Sequence, residues 1–117
     1  MISDTIDIKA NLTLYPTEQG GRKTGIKTNY RPNHVFEYKE NSSDSVTTYI
    51  GQVEFEKELI LPSETEIVKV RFLKHQNIAD LIEKGRIWCI HEGPNKIGEA
   101  EITEILTKKT NGNNGYK

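Results

Sequence analysis

The chain has 117 residues, a net charge of −1 and an isoelectric point near 6.3, a length that fits one domain and a balance that gives no overall basic signature for nucleic acid. Its longest apolar runs fall far short of the ~20 residues of a membrane helix, and the opening Met1-Ile2-Ser3-Asp4-Thr5 has neither the basic nor the apolar region of a signal peptide. One cysteine, Cys89, excludes an internal disulfide, and together these features lead us to expect a soluble cytoplasmic protein.

The neutral total hides an uneven distribution. Arg22 to Lys39 holds five bases and one acid, Glu40 to Glu66 seven acids and one base, and Ile67 to Lys96 six bases and three acids. Such blocks usually form solvated surface, but they also allow one basic and one acidic face.

Taken in chain order, the elements read as strands. Ile6, Ile8, Ala10, Leu12 and Leu14 alternate with polar residues, the pattern of a half-buried strand. His34 to Tyr38 predicts a short aromatic strand. Thr47 to Phe55 alternates again, with Tyr49, Gly51, Val53 and Phe55 on one face. In Ile67 to Leu73 the pattern turns Val68, Val70 and Phe72 inward and Lys69 and Arg71 outward. Asn77 to Lys84 has room for one helical turn or an ordered loop. Arg86 to His91 and Ile97 to Leu106 complete the series, joined by the turn residues Glu92-Gly93-Pro94-Asn95. In the former strand, Cys89 should share a face with Ile87 and His91, and Trp88 and Ile90 the other. Short strands at this spacing predict an all-β sandwich or barrel, and a barrel has the advantage of leaving no edge exposed. The Asn/Gly-rich residues 108–117 are expected to form a disordered tail beyond a domain of residues 1–107.

Few groupings suggest chemistry. Glycines and cations in Gly20-Gly21-Arg22-Lys23 could admit a phosphate, but the run lacks the Lys-Ser/Thr ending of a nucleotide-binding loop; read alone, it is a flexible turn with solvated cations. In Tyr30-Arg31-Pro32-Asn33-His34, Arg31 can pair with an acid or stack on a ring, although a structural bridge beside core aromatics is the commoner outcome. His34, His75 and His91 are widely separated, so no metal site is predicted. Cys89 has no evident base, and Glu99 and Glu101 look like solvated surface; no catalytic residue or cofactor is expected.

The order of these motifs resembles the third, C-terminal β-barrel domain of translation elongation factor Tu, over roughly residues 6–106. The resemblance is carried by Gly20-Gly21-Arg22-Lys23-Thr24, Tyr30-Arg31-Pro32, Leu59-Ile60-Leu61-Pro62, Val68 to Leu73, Arg86-Ile87-Trp88-Cys89-Ile90-His91-Glu92-Gly93 and Lys96-Ile97-Gly98. It implies a closed six-stranded antiparallel barrel. It also implies a face that helps hold the T-stem of tRNA, mainly by backbone and 2′-hydroxyl contacts, at Gly21, Arg22, Lys23, Glu92, Gly93 and Lys96. Arg31 joins this RNA-binding set on charge. The sequence departs from the family at His91 (for arginine), Ser63 (for the glycine after Pro62) and Gly25-Ile26-Lys27 (for an aromatic pair). It has no GTPase domain or second barrel, so no nucleotide hydrolysis is expected. Two partner classes follow: tRNA or another structured RNA bound weakly, or a protein that recognises elongation factor Tu and is met by a non-catalytic mimic.

Overall fold

A computed structural model describes residues 5–36 and 47–107; of His75 it describes the backbone only. Among the described residues there are eight strands: β1 (Thr5–Leu14), β2 (Ile26–Lys27), β3 (Asn33–Val35), β4 (Tyr49–Glu54), β5 (Leu59–Ile60), β6 (Thr65–Leu73), β7 (Ile87–Glu92) and β8 (Asn95–Ile105). Six of them close a barrel in the order β1-β6-β4-β3-β7-β8, every neighbouring pair antiparallel. The expected closed six-stranded antiparallel barrel is therefore the observed fold. β2 and β5 form a separate two-stranded sheet. Among the described residues no helix is long and apolar enough to cross a membrane.

The alternating residues do what period two requires. Ile6, Ile8, Ala10, Leu12 and Leu14 are all buried, as are Val68, Val70 and Phe72 of β6. The barrel is filled by these side chains together with Val53, Trp88, Ile90, Ala100 and Ile102. Ile26 and Ile60 of the β2–β5 sheet join the core from the end where β1 finishes, and Ile78 and Ile82, from the segment between β6 and β7, join it from the other. That segment has two short 3-10 turns, Lys74–Gln76 and Ala79–Leu81, in place of a helix.

His34 lies inside the barrel, fully buried. Trp88 Nε1 donates to its Nδ1 at 2.9 Å, and its Nε2 is 2.9 Å from the Gly51 carbonyl. Only the neutral ring protonated on Nε2 satisfies both partners. Burial lowers its pKa from 6.5 to about 4.

In β7, Trp88 and Ile90 are buried in the core, Ile87 is exposed and Cys89 half-buried; His91, opposite the exposed Asn33 of β3, keeps the outward face but is covered, 6% exposed. The register of β7 on β8 shifts between Ile90 and His91: Ile90 pairs with Gly98 but His91 with Lys96, leaving Ile97 as an extra residue in β8. The predicted aromatic strand is also shorter, ending at Val35, and Glu37 to Tyr38 and the tail at 108–117 lie outside the described residues.

Candidate nucleic-acid interface

The glycine-rich loop and the β7–β8 hairpin occupy the same end of the barrel, where β1 finishes. Pro16 leads into a 3-10 turn at Thr17–Gln19, which Gly20 ends with a φ of +91°. Gly21 then packs so close to the chain that a Cβ would stand 2.2 Å from the Tyr15 carbonyl oxygen. Glycine is thus required at position 21 by backbone packing, whether or not a ligand approaches. At the hairpin, Glu92 pairs with Asn95 across Gly93-Pro94, and Gly93 takes a φ of +57°, the preference of a first central turn residue in a primed hairpin.

Arg22 ties these two segments together. Its guanidinium forms an ion pair with Glu92 Oε2, and Tyr30 donates its hydroxyl to the same oxygen. Arg22 also donates Nε to the Thr24 carbonyl (3.1 Å) and Nη2 to Thr24 Oγ1 (3.0 Å) and the Gly25 carbonyl (3.3 Å), and its carbon Cζ lies 5.5 Å from the Tyr30 ring centre. Burial and the adjacent Glu92 carboxylate push the Tyr30 hydroxyl pKa well up, so it remains a donor. Most of Arg22's donors are consumed inside the protein, and its charge is matched by Glu92.

Lys96 stands on the same hairpin. Its Nζ is 5.5 Å from the Tyr15 ring centre, and the Tyr15 hydroxyl donates to Glu99 Oε1 at 2.8 Å. The Tyr15 contact raises the Lys96 pKa, keeping it fully charged. Lys23 is exposed and makes no ion pair or side-chain hydrogen bond among the described residues. The buried His91 ring, its pKa lowered by burial, hydrogen-bonds the Gly93 backbone and steadies the turn.

Gly21, Arg22, Lys23, Glu92, Gly93 and Lys96 are therefore brought to one rim. Arg31 is not. Successive residues of an extended chain point to opposite sides, and Tyr30 points to Glu92. Arg31 instead donates Nε to Gln52 Oε1 at 3.0 Å and lines a shallow pocket of about 220 Å3 with Arg71, Ile50, Leu73 and Thr5, toward the other end of the barrel. It makes the structural bridge that its surroundings in sequence predict. Tyr30 and Tyr15 are the rim residues that sequence reasoning missed: an aromatic in a strand pattern signals core, and only the fold shows where its hydroxyl ends. Among the described residues, no three histidine, cysteine or acidic side chains gather in a cation-holding arrangement. No protein-family model matches the chain.

Proposed function

We propose that the chain is a non-catalytic binding module, akin to the C-terminal barrel of elongation factor Tu, whose rim grips the backbone of structured RNA. One observation carries the reading: two segments about seventy residues apart, both implicated by the resemblance, converge on one end of the barrel through Arg22 and Glu92. A rim built this way suits a sugar–phosphate backbone. Lys23 and Lys96 supply the uncommitted positive charge, the turn at Gly93 presents an exposed backbone, and Glu92 has acceptor capacity left for a 2′-hydroxyl. With Arg22 neutralised and Arg31 elsewhere, binding is weak and reads shape over sequence.

A gel shift or anisotropy titration with tRNA tests this. The expected result is binding at tens of micromolar in low salt. The slope of log K against log salt should be roughly −2, because each neutralised phosphate on a duplex contributes about −0.9. The double variant Lys23→Ala, Lys96→Ala should bind more weakly and lose most of the salt dependence. No binding at those concentrations, or binding indifferent to salt, refutes the reading.

A further inference from the structure

Outside the barrel, β1, β6 and the end of β4 border an open groove of about 740 Å3 that shares no residue with the rim. Its floor is apolar where a barrel exterior is ordinarily polar. Ile67 is 63% exposed, Leu106 is 40% exposed, and Phe55 is half-buried. Ile67 stands at an outward position of β6, opposite Asn11 of β1, so core packing does not account for it. A lone exposed isoleucine needs no explanation; here Ile67 and Leu106 share one concavity with Phe55, whose ring also packs on the core.

The charges at its border say what fits. Lys9 and Lys69 stand directly opposite each other on β1 and β6. Like charges in that relation work against strand pairing. Lys9 has a loose contact with Glu104 at 3.8 Å, both side chains about half exposed, and Lys69 has no ion pair or side-chain hydrogen bond among the described residues. The facing acids are mostly engaged: Glu54 accepts from Gln52 Nε2 at 2.9 Å and lies 3.8 Å from Arg71, and Glu66 is paired with Lys57 at 3.3 Å. Glu56 keeps an uncommitted charge on that far wall. The β1–β6 wall thus combines an apolar floor with two adjacent cations: Lys9 keeps only its 3.8 Å contact with Glu104, and Lys69 stands opposite Glu54 of β4 without an ion pair to it.

We propose that this groove docks an extended peptide segment of a protein partner, which sets apolar side chains on Phe55, Ile67 and Leu106 and a carboxylate between Lys9 and Lys69. The chain's own residues 108–117, which follow shortly after Leu106, have the wrong chemistry, with three lysines and no acid.

Selection of a random displayed peptide library on the full chain tests the proposal, with Ile67→Glu and Lys69→Glu variants as counterparts. Both positions face outward, and circular dichroism confirms that each variant is folded before it is used. The enriched peptides should combine apolar residues with an aspartate or glutamate and fail on Ile67→Glu. They should bind Lys69→Glu about tenfold more weakly, since attraction there becomes repulsion. Replacing their acid by lysine should restore binding to Lys69→Glu. No enrichment, equal enrichment on Ile67→Glu, or indifference to Lys69→Glu overturns the proposal. Peptides that bind only a chain shortened to Thr107 would assign the groove to the protein's own terminus, and that also overturns it.

Discussion

Protonating His34 should unfold the barrel from within. The ring packs against Phe72 and Trp88, and both its nitrogens are engaged, one accepting from Trp88 and one facing the Gly51 carbonyl. A second proton would set two donors where Trp88 already donates, and would bury a charge. The folded pKa of about 4 lies below the ordinary 6.5, so the unfolded chain takes up the proton first as pH falls. Stability from this group is complete above pH 6.5 and is lost as pH drops from 6.5 toward 4. At about 1.4 kcal/mol per pH unit, the full displacement amounts to roughly 3 kcal/mol, most of it spent by pH 4.5. Trp88 is the sole tryptophan, so urea unfolding followed by its fluorescence at pH 7.5, 6.5, 5.5 and 4.5 reads the effect. The control is His34→Gln, which is destabilised at every pH by the altered packing but has no proton to gain at that site. His91, also lowered by burial, contributes a slope of the same sign to both proteins, so the difference between them isolates His34. Parallel loss of stability in the two proteins between pH 6.5 and 4.5 would refute the reasoning.

Ser63 has a φ of +80° in the Leu61–Glu64 turn, where glycine is the favoured residue; Ser63→Gly should raise unfolding stability by about 0.5–1 kcal/mol, the relieved strain exceeding the extra unfolded-state entropy, as read by urea titration. Gly51→Ala places a Cβ 2.7 Å from Phe72 Cδ1 and 3.0 Å from His34 Nε2, so the same assay should register a loss of about 1–3 kcal/mol, and an unchanged midpoint would count against the packing described. Tyr30→Phe removes only the hydroxyl that Glu92 accepts, with an expected cost of about 1 kcal/mol and faster amide exchange in residues 20–25.

Much of this fold was legible because its strands are long and one-sided. β1 and β6 pair over nine residues, and their alternation can only be satisfied with one face inside. What escaped is what depends on pairing across distance. β2 is two residues long and exists because Leu59 and Ile60 return to meet it, so no local pattern announces it. β8 carries an extra residue opposite Ile90 and His91, and a period-two reading of either strand alone has no means to place that slip. The rim itself was half visible: its glycines, cations and turn stand out in the sequence, but the carboxylate that pairs with Arg22 lies seventy positions away.

That last pairing bears on how charge in a sequence becomes function. Arg22, Lys23, Arg31 and Lys96 count as four positive charges along the chain, and a salt slope scaled to four would follow if each met a phosphate. In the folded protein Arg22 is bound to Glu92 and to the backbone of its own loop, and Arg31 stands on another wall with Gln52. An arginine placed so spends its guanidinium on holding two loops in register, which is a positioning role and contributes little to long-range attraction, because the pair is nearly neutral beyond a Debye length. The shape of the rim and its charge thus come from different residues: Arg22, Glu92, Tyr30 and Gly21 build it, and Lys23 and Lys96 make it attractive. Substituting the builders should alter stability and geometry, whereas substituting Lys23, which has no side-chain partner among the described residues, should alter only the salt-dependent part of binding. A Lys23→Ala chain with unchanged unfolding and a shallower salt slope, set beside an Arg22→Ala chain with a loosened loop, would separate the two roles.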